Sequence, residues 1–576
     1  MDLLGRVICI IVGLLAVAIG TRAQSAREPC PRPAISSIVP EPVDLRSRDG
    51  VLSIDLSVHS QKLRNGQIRY CYIDAGGNES PTLRLQPGDL LIVRLKNEIA
   101  PTQTAAMPRH SLADDSHAAA GPSACTKSED MNASSTNLHF HGLEISPTCH
   151  EDDVLHTSIM TGDEPFEYRI RIPVDQPSGL YWYHPHLHGF SRIQVNGGAS
   201  GAIVIEGIER ANHQLAGLAE RVFLIRDQDL VNPTAASHDQ DNPAGPVIVL
   251  DRDGDAQNTG TGTGKPAKDL TINFVPAPYP DYPPATIQMR PGERQLWRIV
   301  NASSITYLNL QLLWNGVPQG VDVVALDGVP LNHNGLGGGD VVRVNHVGLA
   351  PGGRGEFIVE APPAGVAASI VTRSVNTGPG GENDPARPIA NIVTSADAPA
   401  PRSTLSAAAV QEKHQDRLPW LGTVTPVRTR ELYFSETLQD PKNPNSPTTF
   451  YLTVVGQPPV PFDPRSDVPN IVVHQGDVED WIIENRSQEL HDFHIHQVHF
   501  LMLEWFGIPI NEPFLRDTIN VPFWDGKTKQ YPTVKLRMDF RGADTVGLFP
   551  YHCHLLEHED GGMMGLIRVL PREPQH

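Results

Sequence analysis

The sequence predicts an all-β chain built from three related β-sandwiches, and three observations carry that prediction. Proline and glycine are abundant, 52 and 49 in 576 residues, which favours short strands and frequent turns over long helices. A glycine turn followed by a β-rich run and an asparagine occurs three times. The three copies lie a whole domain apart.

The repeat reads as follows. Gln86-Pro87-Gly88-Asp89 leads into residues 90–97 and ends on Asn97. Arg290-Pro291-Gly292-Glu293 leads into residues 295–301 and ends on Asn301. His474-Gln475-Gly476-Asp477 leads into residues 478–485 and ends on Asn485. Glycine supplies the turn, the Val, Ile, Leu and Trp-rich run reads as a strand, and asparagine tolerates the next turn. The glycines are 204 and then 184 residues apart, a spacing that fits a β-sandwich and not a short solenoid unit. Domains are expected over 30–207, 215–395 and 419–572. A linker is expected over 396–418, where Ala398-Pro399-Ala400-Pro401 stands. Residues 102–136 and 252–268 lack the periodicity of core elements and read as mobile inserts.

Net charge is −20 with histidines neutral, which argues against nucleic acid as a partner, because phosphate binding needs a basic face. Residues 1–23 read as a signal peptide. Arg6 gives a positive start, residues 7–19 are apolar, and Thr21-Arg22-Ala23 offers a small-residue cleavage site. The apolar run is shorter than the roughly 20 residues of a membrane span, so no span is expected after cleavage. A periplasmic or secreted location follows. Of six cysteines, Cys9 leaves with the signal. Cys30, Cys71, Cys125 and Cys149 are an even number in an oxidising compartment, so two disulfides are expected. Sequence does not choose among the three pairings. Cys30–Cys71 with Cys125–Cys149 is taken as the expectation, the second closing the insert after residue 102.

Four histidine clusters carry the chemistry. They are His139-Phe140-His141, His184-Pro185-His186-Leu187-His188, a third cluster from His491 through His494 and His496 to His499, and His552-Cys553-His554 with His558. These windows hold twelve of the 24 histidines in 24 residues, where chance would put about one. A lone His-x-His pair reads as a surface zinc site or as nothing, but four clusters do not. A soft mixture of imidazole, thiolate and thioether suits copper. If residues 552–554 are extended, alternate side chains face opposite ways. Cys553 could then serve one metal while its neighbours serve another.

The four clusters resemble, in order, the copper motifs of the multicopper oxidases, the laccase-like enzymes. The recognisable stretches run from about residue 42 to 571, and include Arg516-Asp517-Thr518 and Arg226-Asp227, expected to serve packing and hydrogen bonding. The resemblance implies three consecutive cupredoxin-like Greek-key β-sandwich domains and four copper ions. It implies a blue type 1 copper held by Cys553, His491 and His558 with Met563 axial, although a buried methionine also simply fills gaps. It implies a type 2 copper on His139 and His494, and a type 3 pair on His141, His184, His186, His496, His552 and His554. The trinuclear set then draws four ligands from the first domain and four from the third, with the middle domain as spacer. His188 and His499 fall outside the ligand set and read as supporting residues. Glu559, Asp152 and Asp153 are the expected proton carriers, with a small insertion at 149–153 leaving the choice between the two aspartates open.

The implied function is one-electron oxidation of a reductant coupled to four-electron reduction of dioxygen to water. Phenols or aromatic amines are the expected reductants, because nine methionines with no cluster outside Met563-Met564 speak modestly against Cu(I). Metallo-oxidation of Cu(I) or Fe(II) is the alternative. A copper-free scaffold or binding protein is a third reading, opposed by the intact set of ten histidines and one cysteine.

Overall fold

A computed structural model of the chain describes residues 28–101, 124–126, 131–235, 264–331, 341–407, 418–440, 442 and 446–572. The signal peptide, most of the two inserts and residues 408–417 of the linker lie outside the described residues.

The three glycine turns open three equivalent strands. Leu90–Glu98 pairs parallel with Val51–Lys62 and antiparallel with Phe166–Arg171. Arg294–Asn301 pairs parallel with Ala219–Gln228 and antiparallel with Arg354–Glu360. Val478–Asn485 pairs parallel with Arg428–Leu438 and antiparallel with Thr533–Asp539. Gly88, Gly292 and Gly476 all have positive φ, the conformation that favours glycine. The acid after each glycine accepts the backbone N–H three residues earlier, as Asp89 does from Gln86 at 2.8 Å, Glu293 from Arg290 at 2.8 Å and Asp477 from His474 at 3.1 Å.

Around each repeat a second sheet closes a cupredoxin-like sandwich. Leu90–Glu98 alternates in burial, with Leu91, Val93 and Leu95 facing the core of the first sandwich. Arg294–Asn301 is buried along nearly its whole length, because its sandwich also packs against the first. Leu180, Trp182 and Val204 meet Val222, Leu224 and Val300 there. Buried charges sit in the same interface and are paired. Glu220 accepts from Arg84 and from Arg298, each at 2.6 Å, and Arg298 also bonds Glu356.

The linker expected over 396–418 needs correction. Ser403–Thr404 pairs antiparallel with Ala219–Gln228, and Leu405 is buried with Ile208 and Leu296. Its first part is therefore an edge of the middle sandwich. Both disulfides form as expected, Cys30–Cys71 and Cys125–Cys149, and Cys553 is a free buried thiol. Among the described residues no helix is long and apolar enough to cross a membrane.

Two five-stranded sheets position the histidine motifs. In the first sandwich His139–His141 lies beside Leu180–His184, with His139 opposite His184. In the third, His491–Ile495 lies beside Gly547–Cys553, with His494 opposite His552 and Phe493 opposite Cys553.

Candidate metal centre

Strand alternation sorts the ligand motifs into two groups. Cys553 falls on one side with His491 and His558. The Nδ1 atoms of His491 and His558 are 3.1 Å apart and each is 3.7 Å from the Cys553 sulfur. One ion with bonds of about 2 Å to each donor fits that triangle. Met563 is fully buried and its carbonyl accepts from the Cys553 N–H at 3.0 Å.

The other eight imidazoles gather between the first and third sandwiches, all buried. The Nε2 atoms of His186 and His496 each lie 3.2 Å from His552 Nε2. Further close groups are His139 with His141 and His184, and His139 with His494 and His496. His141 stacks on His494 and His139 on His496, so each stack joins the two domains.

One nitrogen of most of these rings is committed to a protein acceptor. His139 Nδ1 is 3.0 Å from both oxygens of Asp152. His184 Nδ1 donates to the carbonyl of Pro185, His494 Nδ1 to that of Asp517 and His552 Nδ1 to that of Cys553, at 2.8–2.9 Å. His141 Nε2 is 3.3 Å from Asp517 Oδ1. The opposite nitrogens, His139 Nε2, His141 Nδ1, His184 Nε2 and His494 Nε2, are buried without a hydrogen-bond partner. Such outer contacts fix the tautomer and aim the free lone pair inward. Burial holds His184 down at about 3 and His491, His552 and His558 at about 4, so the rings are neutral, the ligating form. Burial pushes the Cys553 thiol up, so its thiolate needs a cation beside it. Unpartnered lone pairs, neutral rings and a buried thiol together fit copper.

The three expected acids separate. Asp152 is buried at His139, accepts from Phe140 N–H at 3.0 Å and Gln497 Nε2 at 2.6 Å, and is pushed by burial up to about 8. Glu559 is fully buried, 3.2 Å from His552 Nδ1 and 3.7 Å from His186 Nε2, and burial, reinforced by Asp560, holds it well above the usual carboxylate range. Asp153 turns away from the cluster and bonds His156 at 2.8 Å. His499 bonds Glu144 at 2.9 Å and the Asp327 carbonyl at 3.2 Å. His188 packs edge-on against Phe462.

Two model matches decide the identity. Residues 128–210 and 438–573, which contain all four motifs, each match a family model described as multicopper oxidase. The chain belongs to the multicopper oxidase family. Among relatives of this multicopper oxidase is "Multicopper oxidase mco" of Staphylococcus haemolyticus, 25% identical over 445 residues that cover 75% of this chain and 76% of the relative. The "Laccase" of Bacillus subtilis is 23% identical over 68% of this chain and 71% of its own length. The solved structure of a Campylobacter jejuni multicopper oxidase, described as a metallo-oxidase, superposes with a TM-score of 0.61 at 22% identity, covering 94% of this chain and 96% of that one. This multicopper oxidase is accordingly a copper-dependent oxidoreductase with dioxygen as acceptor.

Sequence reasoning left two groups of residues out. The middle sandwich, expected only as a spacer, reaches the cluster. A Cβ on Gly352 would stand 2.9 Å from His554 Nε2 and 3.1 Å from His141 Cε1. Arg354 donates to both oxygens of Asp517, at 2.6 and 2.5 Å. Burial alone would raise Asp517, but Arg354 holds it below the usual range. Beside the Cys553, His491 and His558 group, Glu436 lies 3.0 Å from His491 Nε2 and Glu489 lies 3.2 Å from His558 Nε2. Neither acid sits in a motif, so no local signal marked them.

Proposed function

We propose that the chain is a four-copper oxidase that takes single electrons from a metal-ion reductant and reduces dioxygen to water. The observation that carries the four-copper reading is the convergence of unpartnered imidazole nitrogens beside a buried thiol. In this reading His491, His558, Cys553 and Met563 would hold a type 1 copper. His139 and His494 hold a type 2 copper, and His141, His184, His186, His496, His552 and His554 hold a type 3 pair. Copper bound there supplies reversible one-electron chemistry and accumulates the four electrons that dioxygen needs.

The protein's own residues do the rest. Asp152 stands on His139 and Glu559 on His552, and burial raises both above the usual carboxylate range, Asp152 to about 8, so both can give up protons to reduced oxygen. Gln497 and Phe140 N–H hold Asp152 in place. Arg354 and Asp517 fix His141 and His494.

The reductant is read from the outer edges of His491 and His558. Both rings are buried, at 0% and 3% exposure, and Phe450 stacks on His558. That leaves little bare imidazole for an aromatic substrate. Two acidic side chains stand on the outer nitrogens instead; burial pushes Glu489 up, so its charge needs a cation beside it, and oxygen ligands suit Fe(II) better than soft Cu(I). The Campylobacter structure described as a metallo-oxidase is in keeping with this. The phenol reading keeps one observation in its favour. The Glu436 side chain is 23% exposed and can accept a phenolic proton, and two relatives are named laccases.

Oxygen uptake by the copper-loaded chain tests the choice, with Fe(II), Cu(I) and a dimethoxyphenol compared at equal concentration. Fe(II) is expected to be fastest, and Glu489→Gln to raise its KM with little change for the phenol. A faster phenol would overturn the metal-ion reading.

A further inference from the structure

Beside the trinuclear set lies a cleft that the oxidase reading leaves unused. It lies between the first and third sandwiches, with Met131, His188, Phe462, Met564 and His186 in its wall. The sequence sets Met131, the His186–His188 pair, Phe462 and Met564 far apart. The fold brings two thioethers and an imidazole together. Met564 is 4% exposed and stands opposite His552 in the sheet. His188 Nδ1 is buried with no hydrogen-bond partner, and its ring is held edge-on to Phe462 at 4.9 Å. His186, a member of the type 3 set, forms the inner wall, and its Nε2 is 3.2 Å from His552 Nε2.

An unpartnered buried imidazole is costly unless something binds it. Thioether sulfur with imidazole is the donor set for a soft ion, and an otherwise apolar wall disfavours a strongly hydrated divalent ion.

We propose that this cleft binds monovalent copper through His188, Met131 and Met564 and hands it to His186 by ligand exchange as the trinuclear set is filled. The proposal rests on the four-copper reading. No electron moves in the transfer; the ion exchanges its thioether ligands for imidazoles.

The test uses the full chain, stripped of copper and reloaded without oxygen, with either Cu(I) or Cu(II). Copper per chain is followed in time by metal analysis after desalting. Met131→Leu conserves volume at the rim, and His188→Phe keeps the packing on Phe462. Both are expected to slow Cu(I) loading by about tenfold, to leave Cu(II) loading unchanged, and to reach the same final copper content. Unchanged Cu(I) rates in both variants would overturn the proposal. Equal slowing with both ions would also overturn it, since that would indicate a plain passage for ions or dioxygen. A wild-type chain that never reaches four coppers would sink the four-copper reading instead, and a Cu(I) equivalent lost in Met131→Leu would still support the cleft.

Discussion

Arg354 lies far from any histidine motif, yet it bonds the carboxylate that faces His141 and whose backbone accepts from His494. Removing one partner of a buried ion pair costs about 3–5 kcal/mol, because the other charge is left bare. Arg354→Met should therefore lower thermal stability by that order and reduce copper content, while Arg354→Lys should recover part of both. Calorimetry and metal analysis read the two effects. The acids give a sharper contrast. Asp152→Asn should slow oxygen uptake at saturating reductant by about 10²-fold or more, the range of a lost acid–base group. Asp153→Asn should leave it within a few-fold. Sequence could not separate these neighbours, because side chains one residue apart point in different directions only once the local backbone is fixed. The clustered histidines were legible because their spacing is itself the signal.

At the scale of elements, the repeated asparagines do more than permit a turn. The Asn97, Asn301 and Asn485 side chains each donate to two backbone carbonyls. Each also accepts the N–H two residues on. Asn301 and Asn485 thereby tie the ends of their strands to the opposite sheet through Leu349 and Val521, and Asn97 ties its strand to the loops at Ser134 and Ile159. Asn301→Ala and Asn485→Ala should each cost about 1–3 kcal/mol by stranding those carbonyls, measured by urea unfolding. Asn301 and Asn485 also begin glycosylation sequons, but both are fully buried. In a glycosylating host, peptide mass spectra should find neither carrying sugar. The repeat was visible in sequence because it is local and recurs. The strand at Ser403–Thr404 was not, because a proline-rich stretch pairs there only through a partner some 180 residues earlier.

For the whole molecule, the first and third sandwiches meet at a further charged contact. His156 sits between Asp153 at 2.8 Å and Asp467 of the third sandwich at 2.9 Å. Its hydrogen bond to Asp153, ahead of the burial that opposes it, raises it to about 9. A histidine raised above its unfolded value of about 6.5 contributes stability that is full below pH 6.5 and lost as pH rises through 9. Melting temperatures measured from pH 6 to 10 should fall across that window, and fall less in His156→Gln. Removing copper should lower the melting temperature as well, since ions held by both sandwiches and not by the unfolded chain stabilise the assembled state. Three sandwiches were legible in the sequence, but the closeness of the middle one to the cluster was not. Gly352 and Arg354 act through shape and a distant partner, which leave no periodic trace.

The disulfides also impose an order in time. Cys30–Cys71 and Cys125–Cys149 close loops of 41 and 24 residues, and neither loop encloses the other's cysteines. A chain that emerges N-terminus first can finish both bonds while more than 400 residues are still unmade. Cys553 then arrives with no free thiol left among the described residues to pair with. The one free buried thiol among the described residues is protected from scrambling by being synthesised after the other four.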